Sequence, residues 1–272
     1  MNGNVKSKKG LRRTVHLYGA YVSMNVRSIM QYKASFILSA IGQFLVSFNV
    51  FLGVFFMFKR FSKVRGFSYQ EVLLCFSLFL MEFSIAEMFA RGFDRFSGMV
   101  RKGTFDRVLV RPVSPVLQVL GSEFELTRIG RMVQAITMFI YGVSACGIQW
   151  TLSKVVTVVL MLIGGSALFS GIFMTYAALC FFSLEGLEFM NVFTDGAREY
   201  GKYPLGVYGK RMLQITTFVI PYALVQYYPF LYIIGHSARK AYMFLPLAAM
   251  LFLAPCYGLW RFGVRKYQSS GS

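Results

Sequence analysis

The chain alternates long charge-free stretches with short basic connections. Residues 34–58, 132–150, 155–184, 212–238 and 241–260 contain no Asp, Glu, Lys or Arg. A helix needs roughly 20 residues to cross a hydrocarbon layer, and each stretch reaches or approaches that length. A further stretch, 72–90, is interrupted only by Glu82 and Glu87. The pattern predicts an all-α polytopic membrane protein with six transmembrane helices. Soluble domains set polar faces against apolar ones, so one soluble core could not absorb five such segments.

Charge sharpens this reading. Charged residues make up 15% of the chain, against about 25% in soluble domains. Yet the formal net charge is +18, and the basic residues cluster between the apolar stretches. Outside the six predicted spans, 22 Lys and Arg fall on the side of the termini and 7 on the other. This bias predicts that both termini are cytoplasmic. The basic first loop (Lys59, Arg60, Lys63, Arg65) runs against the bias but does not outweigh it. Charge in these positions fits anionic lipid and topology better than nucleic acid.

The connections carry their own signals. Residues 11–33 are basic, with Leu17, Tyr21, Met24 and Ser28 on one helical side. They form either an amphipathic helix on the inner membrane surface or a plain topology anchor. The loop between spans two and three, about 91–131, is the largest polar segment. Gly103 ends one short element there, Thr104–Leu109 form another turn or two of helix, and Pro112 and Pro115 stop it. Such a loop makes a docking knob and is too small for a catalytic domain.

The connection after span four has balanced charge, and Gly201, Pro204, Gly206 and Gly209 give it a shaped path. Pro221 and Pro229 interrupt the fifth stretch. It crosses as a kinked helix, or partly crosses and continues as a re-entrant outer piece.

Several chemistries are missing. No GxxxxGK[ST], HExxH or GxSxG motif occurs. The two histidines, His16 and His236, fall on opposite predicted sides, which disfavours a metal centre or a hydrolytic triad. Cys75, Cys146, Cys180 and Cys256 lie in apolar stretches without metal-ligand spacing, and read as buried thiols. No cleavable leader is evident, and residues 269–272 read as a disordered tail. Any energised role therefore needs ATP hydrolysis on a separate chain.

Within the spans, Glu82 is costly at mid-depth and either lines a route or staples a helix interface. Glu87 and Arg91 are spaced for a helical ion pair. Gly164, Gly165, Ser166, Ser170 and Gly171 permit close helix approach. Tyr222, Tyr227, Tyr228, Phe230 and Tyr232 anchor the outer interface or meet an amphipathic substrate.

The six-span layout, VRKGTFDRVLVRPVSP at 100–115 and YPLGVYGKRMLQITTFVIPYALVQYYPFLYIIG at 203–235 together resemble the permease subunits of ABC-2 class transporters. The nearest likeness is to the six-span bacterial branch. The resemblance implies a coupling helix within 99–111 that sits in a cleft of the ATPase. Its contacts would be Arg101, Lys102, Asp106, Arg107 and Arg111, with Gly103 and Pro112 shaping the loop. It also implies an amphipathic connecting helix within residues 1–33, a transmembrane domain over 34–260 and a cytoplasmic tail over 261–272. Pro221, Tyr222, Tyr227, Tyr228 and Pro229 would belong to an outer-end gate or re-entrant segment.

The implied assembly has two ATPase chains, which bind ATP and Mg, and a second permease, identical or, by preference, a different homologue. No cofactor belongs to this chain itself. The implied setting is the bacterial cytoplasmic membrane, and the implied direction is export of a hydrophobic or amphipathic substrate. A secondary transporter and a non-transporting membrane scaffold are the competing readings.

Overall fold

The computed structural model describes residues 3–183 and 187–268, with side chains from residue 14 onward except residue 195. The expected tail at 269–272 lies outside the described residues. Among the described residues fourteen α-helices run in order: α1 Gly3–Gln31, α2 Lys33–Arg60, α3 Tyr69–Asp94, α4 Phe96–Arg101, α5 Phe105–Leu109, α6 Pro115–Ser122 and α7 Ile129–Ala145. Then come α8 Leu152–Leu179, α9 Asp195–Tyr200, α10 Lys210–Phe218, α11 Tyr222–Gln226, α12 Tyr228–Ile233, α13 Leu245–Met250 and α14 Leu253–Lys266. The chain is all-α and polytopic. Among the described residues, four helical stretches are long and apolar enough to cross a membrane: Lys33–Arg60, Tyr69–Arg101, Leu152–Leu179 and Lys240–Lys266.

The other two expected spans are different. Residues 132–150 were expected to cross, but α7 begins three residues earlier and stops at Ala145, giving 17 residues. The stretch 212–238 is three short helices rather than one. Pro221 and Pro229 cannot donate to the carbonyl four residues back, and their rings collide with it, so the ladder breaks before α11 and α12. The final stretch, 240–266, is likewise segmented, and α14 continues past the expected boundary at residue 260 to Lys266.

The core is built on α3. Its most apolar window is 83% buried, against 11% for α2. A capping box starts it: Ser68 Oγ accepts from the Glu71 amide, and the Glu71 carboxylate accepts from the Ser68 amide at 2.8 Å. Helices α7 and α8 flank α3, and α14 packs on α8.

The contacts fix the directions. Gly142 of α7 lies against Leu74, while Arg131 at its start meets Glu87, so α7 is antiparallel to α3. Gly130 meets Ala40 and Arg131 meets Gln43, so α2 runs with α7. Gly164, Gly171 and Gly263 bring Pro246, Cys256 and Ala178 together in register, so the last stretch runs parallel to α8.

A parallel neighbour requires the intervening chain to return to the start of α8, and it does. After α8 the chain folds back beside α3: Gly201 lies against Phe79, and Gln226 Nε2 donates to the Gly201 carbonyl at 2.8 Å. Tyr203 reaches Met57 near the end of α2, and Tyr232 Oη bonds Ser153 Oγ at 2.9 Å. The connection after span four, expected to follow a shaped path, is thus packed along the bundle.

Helix α1 docks through Tyr18, whose hydroxyl donates to the Phe89 carbonyl at 3.1 Å, through Tyr21 against Gly121, and through Asn25 Nδ2, which donates to the Gly121 carbonyl at 3.1 Å. Met24 and Ser28, expected on the same face, are exposed.

Close backbone approach holds α7 to α2. A side chain at Gly130 would run into the carbonyl oxygen of Ala40, whereas Gly53 on α2 has open space. Gly130→Ala is expected to lower stability by about 1–3 kcal/mol, the usual cost of forcing atoms into a filled contact. Gly53→Ala is expected to change it little, as read by thermal unfolding of both variants in detergent.

Candidate functional site

Two constellations stand out at the end of the bundle where α3 and α8 finish and α7 begins. The first is the loop 95–122. Phe96 and Phe105 are fully buried, each edge-on to Trp260 of α14, at 5.0 and 6.2 Å. Phe181 lies 5.0 Å from Phe96 and 5.2 Å from Phe105, and Phe93 of α3 meets Trp260 at 5.3 Å. Edge-to-face aromatic pairs add about 0.5–1.5 kcal/mol each beyond their buried area, so the loop is clamped to α3 and α14.

Polar contacts set its shape. Gln118 Nε2 donates to the carbonyls of Val108 and Val113, both at 2.9 Å. Gly103 turns the chain between α4 and α5 at φ +63°, a left-handed value that other residues resist.

What remains outside is a tip. Arg101, Lys102, Arg107, Arg111 and Pro112 are exposed, Asp106 is half-buried, and Gly103 lies beneath them. Between Arg107 and Arg111 sit two exposed aliphatic residues, Leu109 and Val110, the latter 83% exposed. Sequence reading named the charges and passed over this apolar pair. Its signal was present in the run Val108-Leu109-Val110, where only Val108 has somewhere to pack.

The second constellation is centred on Glu87. The pairing of Glu87 with Arg91 is present at 3.5 Å, but it is the longest of three. Arg131 Nη1 lies 2.5 Å from the Glu87 carboxylate and Arg128 Nη2 lies 3.2 Å from it. Arg131 also donates to Gln43 Oε1 of α2 at 2.9 Å. Arg91 bonds Asp94 at 2.5 Å as well. The Arg131 and Arg198 guanidiniums stand over the ring of Phe83, at 5.7 and 5.3 Å.

Burial pushes the Arg128 guanidinium, in the turn ahead of α7, below its ordinary value, and Glu87 beside it opposes that shift. Sequence reading found Glu87 and Arg91. It counted Arg128, Arg131 and Arg198 as loop charges, because nothing in a linear pattern reveals that three separate segments converge.

These groups line a cavity of about 430 Å³ together with Asn191 and Thr194. A second cavity of about 450 Å³ adjoins it, sharing Val46, Arg131 and Arg198.

Glu82 lines neither cavity. It is buried between α3 and α8 in space left by Gly165, and Ser166 Oγ bonds its backbone carbonyl at 3.2 Å. The aromatic segment is also placed. Tyr222 is buried and donates to the Phe193 carbonyl, beside Phe169 in the middle of α8. Tyr227 packs under Gly206, Tyr228 lies 5.3 Å from Tyr242, and Pro221 and Pro229 open α11 and α12. Among the described residues no group of three or more His, Cys, Asp or Glu is placed to hold a metal.

Glu87 pairs with both Arg128 and Arg131, and all three side chains are largely buried. Removing one side of a buried ion pair costs about 3–5 kcal/mol, because the other charge stays buried. Glu87→Gln is therefore expected to lower the unfolding temperature strongly. Glu123→Gln, which loosens the exposed Arg95–Glu123 pair at 3.1 Å, is expected to leave it nearly unchanged.

Comparison with known families matches residues 44–271 to the ABC-2 family transporter proteins. No curated protein and no solved structure matches the chain. ABC-2 members are non-catalytic membrane permeases that generally work with ABC ATPase partners. The match covers most of the chain, and the chain belongs to the ABC-2 family of membrane transporters.

Proposed function

We propose that this chain is the membrane-spanning permease of an ATP-driven exporter in the bacterial cytoplasmic membrane. The observation that carries this reading is the tip at 101–112, rigid at its base and bare at its end. A solvated loop has no reason to bury Phe96 and Phe105 completely while exposing Leu109 and Val110. A docking surface needs both, because force applied to the tip must reach the helices behind it. Phe96 and Phe105 pass such a displacement to Trp260 on α14 and, through it, to Phe93 on α3. The tip is the coupling element, seated in a separate ATPase that binds ATP and Mg. Arg101, Lys102, Arg107 and Arg111 supply its charged rim, and Gly103, Asp106 and Pro112 its shape.

Six crossings with both termini cytoplasmic are the topology that fits this role. Helix α7 reaches the lower limit of about 17 residues for a span. The broken segment from α9 to α12 runs from the end of α8 back to its start. Broken backbone is tolerated at membrane depth where protein surrounds it, and α11 and α12 are largely buried. Its prolines and tyrosines, Pro221 to Pro229, form a re-entrant gate that moves against α8. Glu82 staples α3 to α8. Two permease chains and two ATPase chains complete the transporter, the second permease being a homologue or another copy.

Arg107→Glu combined with Val110→Asp alters only exposed tip residues. Recovery of the ATPase with the permease is expected to fall at least fivefold, with membrane insertion and thermal unfolding unchanged. Undiminished ATPase recovery would remove the coupling assignment.

A further inference from the structure

We propose that the face of α2 centred on Asn49 is the contact with a second copy of this chain, made by two parallel α2 helices across a twofold axis. The outer surface of α2 is split. One side carries Ile37, Leu38, Ile41, Leu45, Phe48 and Phe56, between 38% and 70% exposed. Lipid tails are as apolar as these side chains and cover them without a partner. The other side carries Ser35, Ser39, Gly42, Val46, Asn49 and Gly53, none of them buried. A Cβ at Gly42 or Gly53 would meet nothing within 4 Å. The steps between these six residues alternate four and three, the spacing of a seam between two wound helices.

Asn49 says what lies against the seam. It is exposed, and its carboxamide bonds no described residue. At 1.5 Å per residue it stands about 24 Å from Lys33 and about 15 Å from Lys59, inside a hydrocarbon core about 30 Å thick. Lipid tails offer a polar group nothing at that depth. A carboxamide has both donors and an acceptor, so Asn49 of one chain can satisfy Asn49 of another. A twofold pair uses the same patch on both subunits. With the axis along the membrane normal the two α2 helices run parallel, and each seam residue faces its own copy. A single Asn on such a seam fixes register and partner number, and small residues beside it let the backbones approach.

A second observation on the same flank is independent of α2. Glu199 of α9 is 70% exposed and pairs with Lys202 at 2.5 Å. Both line the cavity edged by Val46 and Val50, and Lys202 also lines a third cavity, of about 450 Å³, with Asn49 and Gly53. The ion pair is therefore level with the middle of α2. Charge at that depth faces protein or water rather than lipid. The seam and the edge of α9 turn away from the bilayer together, and a partner helix on the seam closes both cavities from the membrane.

The proposal rests on the permease reading only for the presence of two membrane chains in the transporter. The test therefore uses the full chain expressed alone, without an ATPase, so that a failed ATPase assignment leaves it intact. Asn49→Cys and Phe48→Cys place a thiol at the same depth on the two sides of α2. Copper-phenanthroline oxidation in native membranes is expected to link Asn49→Cys chains into dimers. Phe48→Cys and the unaltered chain, with its four native cysteines, are expected to stay monomeric on denaturing gels.

Energy transfer between labelled chains, followed as the lipid is diluted, measures the association itself. Asn49→Val and Gly53→Leu are each expected to weaken it at least tenfold. Gly53 has open space within its own chain, so this substitution leaves the protomer folded and keeps the proposal testable if Asn49 variants are lost. Linkage through Phe48→Cys but not Asn49→Cys, or full association in folded Asn49→Val and Gly53→Leu, would overturn the proposal. A chain that stays monomeric alone and pairs only with a different permease would overturn the second copy as its partner.

Discussion

One carboxylate organises the end of this bundle that carries the 95–122 loop. Glu87 projects from the central helix and accepts from arginines on three segments: α3 itself, the turn before α7, and the first turn of α7. Arg131 extends the connection to Gln43 on α2. Everything between residues 95 and 127 is therefore a loop whose two ends are pinned to the same acid. Its stiffness comes from that pinning and from the aromatic packing around Trp260. A loop closed at both ends and filled with rings can only move as a body. That is the mechanical property a coupling element requires.

The same pinning creates the cavity. Three arginines converge on that carboxylate and, with Arg198 over Phe83, line a common space. The 95–122 loop and the cavity thus lie on either side of one electrostatic joint. A displacement of the tip reaches Phe93 on α3, six residues from Glu87 and therefore less than two helical turns away.

The membrane class, the stretches that became α2, α3 and α8, and the break at Gly103 were legible because each rests on local chemistry. Long charge-free runs have one favourable environment, and a glycine at φ +63° leaves a compositional trace. The Glu87–Arg91 pair was legible for the same reason, being four residues apart on one helix. Arg128, Arg131 and Arg198 were not, because their meeting depends on how α7 and α9 pack on α3.

The stretch 212–238 was ambiguous for a different reason. Its composition suits a span, its prolines forbid a straight helix, and only contacts such as Gln226 to Gly201 show where the pieces go. Trp260 was the quietest of all. The sequence marks it only as the end of an apolar run, and it proves to be the floor beneath Phe96 and Phe105.

The most direct test of the account is recovery of the intact chain from its native membrane in lipid nanodiscs, with every co-purifying subunit identified and counted. An ABC ATPase in equal number to the permease chains, two of each, is the predicted result. Repeated intact recovery in lipid without any ATPase would contradict it, and the rigid tip would need another partner.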